Sequence, residues 1–98
     1  MGFLHHILEK YNEALEELMD AQNYATEACH AESMEERTRY IEMSRDELKH
    51  AENIAQMADM VASGSNDESA MVAWKALRMH VADWSDRIRE KLERAVRK

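Results

Sequence analysis

The segment AESMEE, residues 31–36, decides how this chain folds. Ser33 and Glu36 have the spacing of a capping box, in which each side chain satisfies a free backbone N–H at the start of a helix. Apolar residues spaced by three and four precede and follow the segment, which predicts one helix over residues 3–31 and a second over 34–62. Because only two or three residues link them, these helices must form an antiparallel hairpin.

A third helix is predicted after a short break. Residues 63–65, SGS, end the second helix, and Gly64 is expected to take the left-handed conformation common after a helix end. Residues 65–68, SNDE, offer another capping box, so the third helix should cover 67–96. Its apolar seam is Ala70, Trp74, Leu77, Val81, Trp84, Ile88 and Ala95. With no Pro and 2 Gly in 98 residues, we expect a single all-α domain over 1–98.

The charge of the chain is unevenly distributed and excludes several partners. The formal net charge is −7, with 7 Lys and Arg against 18 Asp and Glu over residues 1–86, and 6 against 2 over residues 87–98. The acidic body argues against a nucleic-acid partner and attracts cations, and the basic end suits a helix C-terminus. No apolar stretch is long enough to span a membrane, and the single Cys29 indicates a reducing compartment. We therefore expect a cytoplasmic protein with no membrane partner.

Two carboxylates fall at one height of the predicted hairpin. With the turn centred at residue 32, Glu17 lies fifteen residues before it and Glu47 fifteen residues after it. At about 1.5 Å per residue, each lies roughly 22 Å from the turn. His50 follows Glu47 by three residues, which is close to one helical turn. The hairpin is therefore expected to bring Glu17, Glu47 and His50 together.

Ionisable residues interrupt an apolar stripe on the second helix. A carboxylate on such a stripe costs several kcal/mol unless it is paired or bound to a cation. On the first helix Glu17 shares a stripe with alanines, whose small side chains let a neighbouring backbone approach. The second-helix stripe reads Tyr40, Met43, Glu47, His50, Ile54, Met57, Val61, and the first-helix stripe reads Ala14, Glu17, Ala21, Tyr24, Ala28.

One Glu and one Glu-x-x-His make half of a carboxylate-bridged dinuclear metal site, which needs two of each from four helices. A homodimer supplies the second half. Glu47 and its counterpart would then bridge the metals, Glu17 would chelate or cap one metal, and His50 would add an imidazole to each. Oxygen-rich ligation with one His per metal favours iron, with manganese as the alternative, over structural zinc.

The spacing of Glu17, Tyr24, Glu47 and His50 resembles that of the ferritin-like superfamily, and most closely the encapsulated ferritins. In that family a Glu, a Tyr seven residues later and a Glu-x-x-His thirty residues after the first Glu recur. The resemblance covers about residues 13–62 and implies a ferroxidase centre across a dimer interface. Residues 87–98 lack the apolar, Gly-containing extension that docks such cargo in an encapsulin shell, so that shell is doubtful as a partner.

Several alternatives stay open at this point. Tyr24 is either an electron donor beside the centre or an aromatic ring at the edge of a bundle. A second Glu-x-x-His, formed by Glu27 and His30, lies beside the turn and is interpreted as surface charge. Glu13 and Glu16 are substitutes for Glu17 as the first-helix acid.

Two functions from different classes follow. The first is a homodimeric protein with two Fe or Mn ions that oxidises Fe(II) with O2 or peroxide, a ferroxidase-type activity. The second is a non-catalytic helical assembly or scaffold module in which Glu47 and His50 form a polar layer that fixes register.

Overall fold

A computed structural model describes residues 2–98, apart from the side chain of Phe3, and this part of the chain forms three helices and no strand. The helices are α1 (Gly2–His30), α2 (Met34–Ser63) and α3 (Glu68–Arg97). The predicted all-helical class is confirmed, and the predicted helix ends lie within one residue of the observed ones. The three helices run side by side in a rod of 51 × 16 × 15 Å.

The Ser33 half of the predicted capping box forms at the start of α2. The Glu36 backbone N–H donates to the Ser33 hydroxyl at 3.1 Å, and Ser33 itself is extended with φ −114°. The next residues return the chain along α1, as the short linker requires. The antiparallel hairpin of α1 and α2 therefore starts from a local hydrogen bond that the sequence encodes.

The start of α3 differs from the prediction. Asp67, rather than Ser65, caps the helix: its Oδ1 accepts the backbone N–H groups of Ser69 at 2.9 Å and Ala70 at 3.4 Å. Ser65 instead accepts the Asp67 backbone N–H. Gly64 has φ −91°, so the expected left-handed conformation is wrong, and its N–H closes the end of α2 by donating to the Val61 carbonyl. A carboxylate is as good a helix cap as a hydroxyl, which explains the one-residue shift.

Small residues lie between α1 and α2. The buried residues of α1 include Ala14, Ala21, Ala25 and Ala28. Those of α2 are Ile41, Ser44, Leu48, Ala51, Ala55, Ala58 and Ala62. The predicted α2 stripe from Tyr40 to Val61 lies beside this set rather than in it, because alanine and serine allow the two helices to approach closely while larger residues are displaced to the edge.

The third helix packs against both others with larger side chains. Its buried residues are Ala70, Leu77, Val81, Ser85, Ile88, Leu92 and Ala95, which agree closely with the predicted seam. Trp74 and Trp84 are half-buried at its edges. Hydrogen bonds and ion pairs join α3 to a set of residues that we call the covered face of the hairpin: Tyr11, Gln22, Thr26, Cys29, Glu52 and Asp59.

The opposite side of the hairpin faces away from α3. At about 100° per residue, Glu17 lies roughly 140° around α1 from Gln22, and Glu47 lies roughly 140° around α2 from Glu52. Among residues 2–98, no hydrogen bond or ion pair links this side to α3. We call it the open face and define it by Glu17, Tyr24, Tyr40, Met43, Glu47, His50, Ile54 and Met57. No helix in the described chain is both long and apolar enough to cross a bilayer.

Candidate metal centre

Glu17, Glu47 and His50 meet on the open face. One ligand atom from each lies within 4.8 Å of the other two. The Nδ1 atom of His50 is 3.6 Å from a Glu17 carboxylate oxygen and 3.7 Å from a Glu47 carboxylate oxygen. The structure therefore brings together within one chain the three residues that the matched heights predicted.

Small buried residues beside Glu17 and Glu47 determine how closely the two acids approach each other. Ser44 is fully buried one turn before Glu47, and its hydroxyl donates to the Ala21 carbonyl at 2.7 Å. Ala21 follows Glu17 by one turn, so this hydrogen bond joins the helices at the level of the acids. The buried Ala51 lies one turn after Glu47. Small side chains on both sides hold the helices near enough for carboxylates from α1 and α2 to touch.

Glu47 is harder to ionise than an ordinary glutamate, because its carboxyl lies against that of Glu17. The pKa of Glu47 is raised to about 7, mainly by a side-chain hydrogen bond with Glu17, then by burial and by the negative charge of Glu17. His50 acts in the opposite direction and lowers the pKa, while Asp20 adds a smaller upward effect. Two acids in hydrogen-bond contact cannot both ionise without strong repulsion, so the pair needs either a proton or a positive ion.

The three side chains are not equally enclosed. The side chain of Glu47 is 22% exposed, that of Glu17 is 30% exposed, and that of His50 is 56% exposed. The sequence placed His50 on an apolar seam between helices, whereas in the single chain it lies at the open edge. The acids are partly withdrawn from water, and the imidazole is the most accessible ligand.

Tyr24 lies away from the three ligands. Seven residues separate it from Glu17, about 10 Å along the helix axis. Its ring stacks on that of Tyr40, with centroids 6.4 Å apart and planes inclined by 28°. The two tyrosine rings thus form a pair on the open face, nearer the turn than the three grouped residues. Both expected roles of Tyr24, electron donor and edge aromatic, remain predictions.

The alternative ligands are placed elsewhere. Glu27 and His30 are both exposed, and His30 Nδ1 donates to the Thr26 carbonyl at 2.9 Å, so the second Glu-x-x-His lies at the surface. Glu13 is exposed and pairs with Lys10 at 3.2 Å. Glu16 is also exposed. Among the α1 acids considered, Glu17 is the one that joins the cluster.

Sequence reasoning missed one contributor to the site. Asp20 follows Glu17 by three residues, and its negative charge raises the pKa of Glu47. Its spacing of one turn from a candidate ligand was the available signal. The acidic field at the centre therefore extends beyond the three grouped residues and favours a cation of high charge.

Comparison with protein-family models, with curated proteins and with solved structures finds no match to this chain. The resemblance to ferritin-like proteins therefore depends on the intervals between Glu17, Tyr24, Glu47 and His50. The geometry of the acids is an independent observation, because it comes from the packing of α1 against α2.

Proposed function

We propose that two copies of this chain pair through their open faces and hold two metal ions between them, so that the protein binds Fe(II) and oxidises it with O2 or peroxide. The observation that carries this proposal is the contact between Glu17 and Glu47, with His50 beside them. A facing copy would contribute the same three residues. The complete site would then contain four carboxylates and two imidazoles.

The donor set fits hard or borderline divalent cations. Carboxylate oxygens with one imidazole per metal suit Fe(II) or Mn(II), and there is no thiolate in the cluster to favour a structural zinc site. The raised pKa of Glu47 supports the same conclusion, because a cation would replace the proton of Glu47 and remove the repulsion between the acids.

Apolar residues around the acids support pairing of two chains. Met43 is 40% exposed and Met57 is 49% exposed, and Ile54 lies between them half-buried. These residues flank Glu47 and His50 along α2. Burying them against a second copy removes apolar surface from water and also withdraws His50 from solvent, so hydrophobic contact and metal ligation would reinforce each other.

The residues have separate roles in this function. Glu17 and Glu47 would hold the cations and neutralise their charge, and His50 would supply one nitrogen ligand beside the carboxylates. Bound iron supplies electrons by passing from Fe(II) to Fe(III). Below a pH of about 7 Glu47 would release its proton when the metal binds, which makes Fe(II) affinity pH-dependent.

An anaerobic Fe(II) titration tests the proposal, and the chain contains its own control. Glu47→Ala removes the central ligand, whereas Glu27→Ala makes the same change in the exposed second copy of the motif. We expect two Fe(II) per dimer in the parent protein and in Glu27→Ala. In Glu47→Ala we expect at least about a hundredfold weaker binding. Equal binding by both variants, or no binding by the parent protein, would end the proposal.

The assembly-module alternative makes a different prediction for thermal stability. A polar layer of Glu47 and His50 that only fixes register has no need of metal, so a chelator would leave the melting temperature unchanged. A metal-bound dimer is stabilised by about 2.7 kcal/mol when free Fe(II) exceeds the Kd a hundredfold. Melting curves with Fe(II) and with a chelator, combined with the molecular mass in solution, distinguish the two functions.

A further inference from the structure

On α3, away from the open face, the His80 ring lies between the rings of Tyr11 from α1 and Trp84 from its own helix. The Tyr11 hydroxyl and His80 Nδ1 are 2.5 Å apart, and the ring centroids are 5.7 Å apart. The other neighbour of His80 is Trp84, whose ring is nearly parallel to the imidazole at 16° with centroids 5.6 Å apart. The indole N–H of Trp84 donates to the Gln22 side-chain carbonyl at 2.7 Å. The imidazole is thus held by contacts with a phenol and an indole.

The structure fixes the two bonded atoms, Tyr11 Oη and His80 Nδ1, and the imidazole tautomer sets which of them donates. A tyrosine hydroxyl that donates to Nδ1 requires a neutral imidazole with its proton on Nε2. Tyr11 is half-buried against the core, whereas His80 is exposed. A phenol in a partly apolar setting therefore has a base in direct contact, and the base remains hydrated if it takes up a proton.

This arrangement matches the chemical requirement for one-electron oxidation of tyrosine. Loss of an electron turns a phenol into a very strong acid, so oxidation is easy only if the proton leaves at the same time. A hydrogen-bonded base removes the need for proton release to water. Among residues 2–98, Tyr11 is the only one of the three tyrosines whose hydroxyl bonds to a histidine, while Tyr24 and Tyr40 stack on each other.

We propose that Tyr11 and His80 form a redox-active pair, in which Tyr11 gives one electron to a one-electron oxidant while its phenolic proton moves to Nδ1 of His80. The O–H bond of Tyr11 breaks and an N–H bond forms on His80. The products are a neutral tyrosyl radical, an imidazolium ion and the oxidant reduced by one electron. Trp84 is a positioning residue, because its stacked ring and its bond to Gln22 fix the imidazole.

The pair can serve the metal centre, and in this respect the inference rests on the proposed function. Tyr11 lies six residues before Glu17, about 9 Å along α1 and roughly 120° around it. Reduction of O2 to water needs four electrons, and two Fe(II) in a dimer supply two of them. One Tyr11 from each chain would supply the other two. The four protons that the two water molecules need would come from solvent, into which each His80 releases the proton taken from Tyr11.

The decisive experiment uses metal-free protein and a photogenerated Ru(III) tris-bipyridine oxidant. The variant Tyr24→Phe/Tyr40→Phe keeps Tyr11 as the single tyrosine, and ring-deuterated tyrosine identifies its radical by electron paramagnetic resonance. We expect a neutral tyrosyl signal whose formation is slower in D2O. Adding His80→Phe keeps a ring beside Trp84 but removes the base, and should slow oxidation by about a hundredfold, the usual contribution of a positioned base, and abolish the D2O effect.

The control is His30→Phe in the same single-tyrosine variant, because His30 is exposed and bonds to the Thr26 carbonyl. It should form the radical at the parent rate. A missing tyrosyl signal in the single-tyrosine protein, or an equal rate with His80→Phe, would overturn the pair. Circular dichroism of each variant shows whether the helices are retained.

A second measurement separates this inference from the proposed function. Fe(II) and O2 are added to the parent protein and to Tyr11→Phe, and both radical yield and Fe(II) binding are recorded. Loss of the radical with unchanged binding supports the pair, and an unchanged radical in Tyr11→Phe overturns its link to the centre. If Fe(II) does not bind at all, the proposed function fails, while the metal-free oxidation still decides whether Tyr11 and His80 act together.

Discussion

Polar side chains have different kinds of partner on the covered and open faces of the hairpin. On the covered face each polar group meets a complementary partner on α3: the Trp84 indole N–H meets the Gln22 amide, Lys91 donates to the Thr26 hydroxyl at 2.7 Å, and Arg89 pairs with Glu52. On the open face an acid meets an acid. Complementary pairs are complete within one chain, whereas the contact of Glu17 with Glu47 requires a proton or a positive ion from solution.

This difference separates residues that stabilise the fold from residues that we propose bind a cation. The pairs of Gln22 with Trp84 and of Glu52 with Arg89 should respond little to metal or to moderate changes of pH. The open face should respond to both, because a proton and a metal ion compete for the same two carboxyls. The predictions below test that separation, beginning with the largest expected effect.

The largest effect should come from the core beneath α3. Leu77 is fully buried, and Leu77→Ala should lower the free energy of unfolding by about 2–5 kcal/mol through lost contacts and a residual cavity. Chemical denaturation of the metal-free protein measures the change. Met79→Ala is the matched control, because Met79 is 74% exposed on the same helix and should cost less than about 0.5 kcal/mol. Similar losses in both variants would show that α3 does not pack as described.

The second-largest effect should come from widening the gap between α1 and α2, which should lower both the stability of the fold and the affinity for Fe(II). Ala51 is fully buried one turn after Glu47, so Ala51→Leu should destabilise the fold by about 1–3 kcal/mol through overpacking. It should also weaken Fe(II) binding, since the acids move apart. Ala76→Leu adds the same side chain at an exposed position of α3 and should change neither quantity. Full Fe(II) affinity in Ala51→Leu would contradict the close-approach argument.

The pH dependence of stability tests the acid pair directly. The folded-state pKa of Glu47 is raised to about 7 from the ordinary value of 4.5, so the folded chain holds an extra proton between these values. The associated stability is present in full below pH 4.5 and is lost as the pH rises through about 7. We expect the metal-free protein to melt at a lower temperature at pH 8 than at pH 5.5. Because both carboxyls are partly exposed, solvent screening should keep this change below that of Leu77→Ala.

The neutral variant Glu47→Gln supplies the control for that measurement. It keeps the size of the side chain and removes the titration, so the difference in melting temperature between the two pH values should shrink. Glu27→Gln, at the exposed second motif, should retain the parent behaviour. If Glu47→Gln shows the same pH dependence as the parent, another group is responsible.

The smallest effect is expected at the edge of the covered face. Gln22→Ala removes the acceptor for the Trp84 indole, and an exposed hydrogen bond of this kind contributes about 0.5 kcal/mol. The loss should be the same with and without Fe(II), and the same at pH 5.5 and 8. A metal-dependent loss would mean that the two faces are coupled.

The sequence predicts the helices well because their boundaries are encoded locally. Ser33 and the linker before it fix the hairpin turn, and equal distance from that turn places Glu17 opposite Glu47. The interior of the hairpin is harder to predict, since periodicity gives more weight to Met43 and Met57 than to Ser44, Ala51 and the other small residues that carry the contact with α1.

The contacts of α3 were beyond sequence reasoning for a different reason. Linker residues between α2 and α3 determine that the chain turns, but not which side of the hairpin α3 covers. The pairs of Tyr11 with His80 and of Gln22 with Trp84 depend on that choice, and each joins residues more than sixty positions apart. Side-chain shape along the whole interface selects the side, and no local motif reports it.

The position of α3 determines the layout of any larger assembly. If two hairpins meet through their open faces, both third helices lie on the outer surfaces and the metal ions lie in the central layer, shielded from every neighbour. Growth beyond a pair then depends on the solvent-facing side of α3, where Val72 and Met79 are exposed. Substitutions there should alter the size of a polymer without altering the chemistry inside each pair.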